Sequence, residues 1–279
     1  MTTFFKYFTL LSFSICLTIA SQAQSSKNEN YIVLLDLSDR LLTVDQTNRD
    51  KRLIQDVFAR FEGIVRQKFI INSSDCFKVV IAPQQGGIIT ENYENELFIS
   101  MAAFNIQQKR KQLETFKANL PRILDRLYAD ATKGRKISRD FKGTDIWKYF
   151  NDFLVNDVIN THQNKLFVLT DGYFDFESNR FAGQLGNRTT DSRLMNKLRN
   201  DSDWEKKLRS ANEGLIPVKK NFGKLSVCLL EIKPKFQNLN EQDLLVAVWQ
   251  KWLFEMKINH FVFSPHGSLP ATQKKIDTF

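Results

Sequence analysis

Uninterrupted apolar runs alternate along the chain with segments in which apolar residues recur every three or four positions. The runs predict strands at 31–35, 76–82, 97–104, 165–172, 224–232 and 260–264. The periodic segments predict helices at 48–69, 106–131, 144–159 and 240–258. The second of these helices is expected in two pieces, split at Pro121, because proline cannot donate to the helical ladder.

This alternation favours an α/β fold with a doubly wound, mainly parallel sheet and helices on both faces, of the Rossmann-like kind. Residues 173–221 do not fit the alternation. They are polar and predict an insertion with one or two short helices. No repeat and no linker rich in proline or glycine divides the rest, so residues 24–279 are interpreted as a single domain that contains the insertion.

The first 23 residues have the pattern of a cleavable signal peptide. Lys6 precedes a mostly apolar run from 8 to 20, and the small residues Ser21 and Ala23 predict cleavage after Ala23. The run is shorter than the roughly 20 apolar residues that a spanning helix needs, although a retained anchor is the alternative. We therefore expect an exported protein, periplasmic or secreted, without a stable transmembrane span after cleavage.

The 279-residue chain carries a formal net charge of +9 at pH 7, which suits acidic partners. Its basic residues cluster at 108–112 and 133–142, where almost no aromatic side chain is interleaved for base stacking. We therefore do not expect nucleic acid as a partner, and we interpret both clusters as solvated surface. Beyond the signal peptide only Cys76 and Cys228 remain, too few for a disulfide scaffold.

Polar residues stand at or directly after the ends of two of the predicted buried strands and at the start of one predicted helix. Asp36 and Ser38 follow the first strand, Thr144 opens the helix at 144–159, and Asp171 lies at the end of the strand at 165–172. Because open α/β sheets bind ligands outside the carboxyl ends of their strands, we expect these four residues to converge. Their oxygens form a ligand set that Mg²⁺ prefers. The alternative is local structure alone, with the aspartates and Ser38 forming turns and Thr144 capping its helix.

Together the stretches DLSDR, GTDIW and LTDGYF resemble the von Willebrand factor A domain and its metal-ion-dependent adhesion site. Asp36 and Ser38 match the first two positions of that family's Asp-x-Ser-x-Ser motif. Thr144 matches the family's threonine, and Asp171 its later aspartate. The resemblance covers about residues 31–265. It implies a Rossmann-like sheet, magnesium at the four matching residues, and a protein partner whose acidic side chain completes the metal shell.

Arg40 stands where the family motif has its second serine. A guanidinium cannot ligate a metal and repels a divalent cation. Arg40 could turn into solvent and leave a metal site with one ligand missing, or lie between Asp36 and Asp171 and replace the ion. Since alternation along an extended chain places Arg40 on the side of Ser38, we expect the second arrangement.

The family's strand order carries an implication for the cysteines. It places the strands that hold Cys76 and Cys228 three spacings apart in the sheet, too far for a disulfide. We therefore expect both thiols to be free.

The leading hypothesis is an exported, non-enzymatic module that binds a protein through the loops around this site, with the insertion shaping specificity. One alternative is a metal-dependent hydrolase or phosphatase on the same kind of sheet. Phosphatases of the haloacid dehalogenase type use Asp-x-Asp, however, where this chain has Ser38 in place of the second aspartate, and no GxSxG, GxGxxG or P-loop motif occurs. A polyanion-binding protein that uses the basic clusters is the other alternative.

Overall fold

The computed structural model describes residues 27–84, 90–176, 183–210 and 212–279. The predicted signal peptide, residues 1–23, lies outside these ranges. The strands of the described part are β1 Glu29–Leu35, β2 Cys76–Ile81, β3 Phe98–Ser100, β4 Gln163–Leu169, β5 Gln184–Leu185, β6 Arg188–Thr189, β7 Gly214–Leu215, β8 Leu225–Ile232 and β9 His260–Pro265.

The central sheet has the strand order β3-β2-β1-β4-β8-β9, and β5, β6 and β7 form a separate small sheet. All neighbouring strands of the central sheet are parallel except β2 and β3. With the small sheet set aside, this is the order 3-2-1-4-5-6 of a doubly wound fold, and the predicted fold class is confirmed. The direction of winding reverses between β1 and β4, so the carboxyl ends of these two strands border the crevice in which such sheets bind ligands.

The helices of the described part are α1 Gln46–Gln67, α2 Glu91–Glu94, α3 Ile106–Thr132, α4 Ile146–Lys148, α5 Leu154–Asp157, α6 Arg193–Leu198, α7 Trp204–Arg209, α8 Glu241–Glu255 and α9 Leu269–Thr278. A π-helical turn at Tyr149–Phe153 joins α4 to α5, so the helix predicted at 144–159 is present with a bulge. Within the described ranges, none of these helices combines the length and the apolar character needed to cross a membrane.

Helix α3 is continuous, and the predicted break at Pro121 is wrong. The apolar stripe of Leu113, Leu120, Leu124 and Leu127 is fully buried on both sides of the proline. Pro121 itself faces outward. Proline in a helix interior costs about 3 kcal/mol relative to alanine. Burial of several leucines at about 1.5–3 kcal/mol each exceeds this cost, so the helix continues through the proline.

Strand β1 divides its side chains between two hydrophobic cores. Tyr31, Val33 and Leu35 face a core covered by α1, α3 and α9. Ile32 and Leu34 face a second core, covered by the helical segment from α4 to α5 and by α6, α7 and α8. Helices therefore cover both faces of the sheet, as the apolar pattern predicts.

The segment predicted as an insertion, 173–221, contains α6 and α7 together with the small sheet, which the sequence pattern did not indicate. Leu194, Met195 and Leu198 of this segment are buried in the second core. The indole nitrogens of Trp147 and Trp252 donate to the carbonyl oxygen of Ile216 at 2.7 and 2.9 Å. These contacts hold the insertion against the same face of the sheet as α4 and α8.

Candidate functional site

Asp36 is the centre of a buried hydrogen-bond network at the carboxyl end of β1. Its Oδ1 accepts from the amide of Ser38 at 3.0 Å and from the hydroxyl of Thr144 at 2.5 Å. Its Oδ2 accepts from the hydroxyl of Thr170 at 2.8 Å. The structure thus brings Asp36, Ser38 and Thr144 together as expected. It adds Thr170, which directly precedes Asp171 at the end of β4 and was missed in the sequence.

Gly143 explains why Thr144 reaches this edge of the sheet. Its φ of +71° belongs to the left-handed region, and a Cβ there would lie 2.1 Å from the carbonyl oxygen of Asp175. Gly143 also forms an isolated bridge with Phe176, and the amide of Thr144 donates to Asp175 at 3.0 Å. The local alternative for Thr144 is not realised, because the helix N-cap is Asp145, which accepts from the amide of Lys148 at 2.8 Å.

Asp171 is buried beside Asp36, and its carboxylate is only partly satisfied. Oδ1 accepts from the amide of Tyr173 at 3.2 Å, whereas Oδ2 has no hydrogen-bond partner. Burial raises the pKa of Asp171 to about 7; the charge of Lys235 opposes this rise and that of Asp36 adds to it. The hydroxyl of Ser38 is likewise buried without a hydrogen-bond partner. Of the four predicted ligands, Ser38 therefore has an unused oxygen, a situation that folded proteins ordinarily avoid, whereas the Oδ2 of Asp171 is compensated by an ion pair.

Lys235 supplies the cation of this site. Its ammonium lies 3.0 Å from the carboxylate of Asp39, 3.2 Å from that of Asp175 and 3.3 Å from the Oδ2 of Asp171. It also lies 5.0 Å from the ring centroid of Tyr173, in a cation–π arrangement. Burial by itself would lower the pKa of Lys235, but the three carboxylates raise it above its ordinary range.

Arg40 does not occupy the position expected for it. Its guanidinium forms a two-pronged ion pair with Asp50 of α1, at 2.7 and 2.9 Å. Its contact with Asp36 is a 3.1 Å hydrogen bond to the main-chain carbonyl oxygen and not to the carboxylate. The expectation that Arg40 replaces the ion between Asp36 and Asp171 is therefore wrong. The physical reason is that Asp50 is completely buried and requires a compensating charge.

The Arg40–Asp50 pair is further enclosed by polar contacts. Asp50 also accepts from the side-chain amide of Gln46 at 2.9 Å and from the hydroxyl of Tyr128 at 3.0 Å. Burial by itself would lower the pKa of Arg40, but Asp50 raises it overall. Arg40 is thus paired directly with Asp50, and it acts on the carboxylates of Asp36 and Asp171 only through its charge at longer range.

A pocket of about 520 Å³ opens over this edge of the sheet. Its charged and polar lining includes Asp39, Arg139 and Lys235 from the loops outside the insertion and Asp175, Asp191, Ser192, Arg193 and Asn196 from the insertion. The insertion therefore forms one wall of the pocket. Within the pocket Arg193 pairs with Asp191 at 2.9 Å and Lys235 with Asp39 and Asp175, while Arg139 lies exposed at the rim.

The donor set fits a hard cation such as Mg²⁺ in chemical type. The hydroxyl of Thr144 donates a hydrogen bond to Asp36, which leaves the oxygen lone pairs of Thr144 free. The hydroxyl of Ser38 has no hydrogen-bond partner, and the Oδ2 of Asp171 is held only by the ion pair with Lys235. In the described part of the chain, no three side chains of His, Cys, Asp and Glu are grouped so that they could hold a metal ion. Any cation bound here would rely on the two hydroxyl oxygens as well as the carboxylates.

Comparison with known proteins assigns no family to the chain. No family model matches it, and no curated protein matches it. Among solved structures, it is similar to the pilus adhesin SpaC from Lactobacillus rhamnosus GG in an open conformation, with 8% sequence identity and a TM-score of 0.46. The similarity covers 91% of this chain and 30% of the adhesin.

Proposed function

We propose that this chain is an exported, non-enzymatic module that binds a protein partner at the carboxyl edge of its central sheet. The observation that carries this proposal is the hydroxyl of Ser38, which is buried beside Asp36 without a hydrogen-bond partner and directly precedes Asp39 in the lining of an open pocket of about 520 Å³. Buried oxygens without partners are costly, so they indicate that a bound group completes the site.

We propose Mg²⁺ as that group, held by Asp36, Ser38, Thr144 and Asp171. When bound, it would supply an open coordination position for an oxygen of the partner. In the resemblance to the von Willebrand factor A domain, a partner's carboxylate takes that position. The pocket suits such a partner, because Arg139 at its rim can pair with a second acidic group.

The positions of the three histidines argue against a histidine-based hydrolase at this site. His162 bonds the carbonyl oxygen of Ser74, His260 stacks on Phe279, and His266 contacts Glu231. Each histidine is thus engaged by residues outside the candidate site, so a hydrolase here would have to use a carboxylate such as Asp171 as its general base.

The proposal is tested by site-specific photo-crosslinking in cells that naturally make the chain. A benzophenone amino acid is placed at Arg139, on the pocket rim, or at Lys224, which is exposed at the opposite edge of the sheet directly before β8. We expect a discrete protein adduct from position 139 that is lost when Asp171→Asn is added, and none from position 224. Equal adducts from both positions, or an adduct that survives Asp171→Asn, would overturn the proposal.

A further inference from the structure

The ammonium of Lys235 occupies a receptor for a cation. Three carboxylates, those of Asp39, Asp171 and Asp175, lie within 3.3 Å of it, and the ring of Tyr173 closes one side. Carboxylates and an aromatic face are the groups by which proteins recognise ammonium ions. Acidic residues alone would not make a site, but the buried hydroxyl of Ser38, which has no hydrogen-bond partner, is independent evidence that a ligand belongs here.

Asp171 is shared between this receptor and the proposed metal site. Its Oδ2 lies 3.3 Å from the lysine ammonium and is also one of the oxygens of the proposed metal site. An ammonium and a divalent ion on one carboxylate repel each other at close range, and the repulsion is strong where water is excluded. The two cations therefore compete for Asp171.

The loop that carries Lys235 has features that suit displacement. Residues 233–240 connect β8 to α8, and among them Phe236 is half-exposed and Leu239 is fully exposed. At the site the loop is fastened by the ammonium of Lys235 and by its amide, which donates to the hydroxyl of Tyr173 at 3.0 Å. On either side, the amide of Lys233 donates to the carbonyl oxygen of Asp171 at 3.0 Å and the side chain of Asn238 to that of Arg199 at 3.2 Å, so these points bound the part that can move. The guanidinium of Arg199 covers the ring of Phe236 at 3.8 Å. Release of the lysine would remove the main electrostatic contact between this loop and the sheet.

We propose that Lys235 is an internal competitor of the metal ion: it neutralises the site when no metal is bound, and a divalent cation displaces it and frees the loop between Lys233 and Asn238. This inference rests on the proposed metal site. Metal binding and the position of Phe236 then form one linked equilibrium. The position of this apolar side chain therefore changes when the ion binds.

The first test compares thermal melts of three proteins in EDTA and over a magnesium titration: wild type, Lys235→Met, and Lys233→Met. The last removes one positive charge from the same loop and is the matched control. We expect Lys235→Met to melt at a lower temperature than wild type in EDTA, because three carboxylates lose their counter-charge. We expect it to reach half of its magnesium stabilisation at an ion concentration about tenfold below that of wild type, with Lys233→Met resembling wild type.

The outcomes separate the two proposals. Equal magnesium responses of wild type and Lys235→Met would leave the metal site in place and overturn the competition. A folded Lys235→Met that does not respond to magnesium at all would overturn the metal site, and the competition with it. Addition of Asp171→Asn to Lys235→Met should abolish the response; if the response persists, the ion binds elsewhere and both proposals fail.

The second test uses the unmodified protein and so does not depend on the folding of a variant. Native lysines are acylated briefly with and without millimolar MgCl₂, and each site is quantified by peptide mass spectrometry. Lys235 should be slow to react in EDTA and several-fold faster with magnesium. Lys68, which is buried and paired with Asp75 at 2.7 Å away from the site, is the control and should stay slow in both. An unchanged rate at Lys235 at magnesium concentrations that stabilise the protein would overturn the inference.

Discussion

Arg40 and Lys235 neutralise different carboxylates, although both lie beside the carboxyl end of the central sheet. Arg40 is enclosed, with a fully buried partner in Asp50, and its two prongs fix both oxygens of that carboxylate. Lys235 remains partly exposed at 27% and contacts three carboxylates without enclosing any of them. A planar, two-pronged arginine suits a permanent internal pair, whereas a single ammonium on a flexible stem suits a contact that can be exchanged.

The structure assigns Arg40 to stability, and this is testable by a double-mutant cycle. Asp50→Asn leaves a buried guanidinium without its counter-charge and should lower the free energy of unfolding by about 3–5 kcal/mol in urea denaturation. Arg40→Ser should cost a similar amount, with or without magnesium. The double variant should cost clearly less than the two single changes together, because no lone charge then remains.

The control for this cycle is Asp125→Asn, whose partner Lys51 forms an exposed pair with it. That change should cost no more than about 1 kcal/mol. Additive costs in the Arg40–Asp50 cycle, or a loss no larger than that of the control, would contradict the role given to the buried pair.

At the scale of elements, the sequence predicted what long apolar patterns can specify. β1, β4 and β8 were found because strands buried on both faces are continuously apolar, and α1 and α8 because their stripes run over several turns. The small sheet was not predicted, since its two-residue strands are too short to have a period. Helix α9 was missed because its buried residues are only Thr272 and Ile276.

The same reasoning explains which site residues could be found. Asp36, Thr144 and Asp171 stand out because they interrupt apolar runs or begin a helix. Lys235 lies within a polar loop, where an additional lysine does not stand out from its polar neighbours as a site residue. The signal available was positional: the loop follows β8, whose carboxyl end lies at the same edge as those of β1 and β4.

Gly143 and Gly134 offer a matched pair for testing how the loop at 143–144 is built. Both have a positive φ, of +71° and +73°, but a Cβ would strike the Asp175 carbonyl only at Gly143 and would meet open space at Gly134. Gly134→Ala should therefore cost about 1–2 kcal/mol from the backbone conformation alone. Gly143→Ala should cost about 1–3 kcal/mol more, because the chain must shift and the Thr144–Asp36 bond is disturbed. Equal losses in denaturant unfolding would show that the close approach to Asp175 is not required.

At the scale of the whole molecule, two cores on one sheet carry the stability of the described chain without a disulfide. Cys76 and Cys228 are both buried free thiols, as predicted. Their strands β2 and β8 are separated by β1 and β4, which places them three spacings, or roughly 14 Å, apart. A disulfide requires Cα atoms within about 7 Å. The fold therefore keeps the thiols apart by its strand order.

Thiol alkylation tests this arrangement. Burial raises the pKa of Cys228 to about 12 and also raises that of Cys76, so the reactive thiolate is scarce at pH 8. We expect iodoacetamide to modify neither cysteine appreciably in the native protein over minutes, and both readily in guanidinium chloride. Mass spectrometry of the unreduced protein should show two free thiols. A Cys76–Cys228 bridge would mean that the strand order is different.

The position of β1 in the middle of the sheet also determines when the site can form during folding. β1 pairs with β2 across 46 positions of sequence, but with β4 across 134. During synthesis or export β1 emerges long before β4, so the edge of β1 that later pairs with β4 stays unpaired in the meantime. Long-range parallel pairing of this kind is intrinsically slow. Asp36, Thr144, Asp171 and Lys235 come from four successive stretches of the chain, so the complete site forms only near the end of folding, after β8 has been added to the sheet.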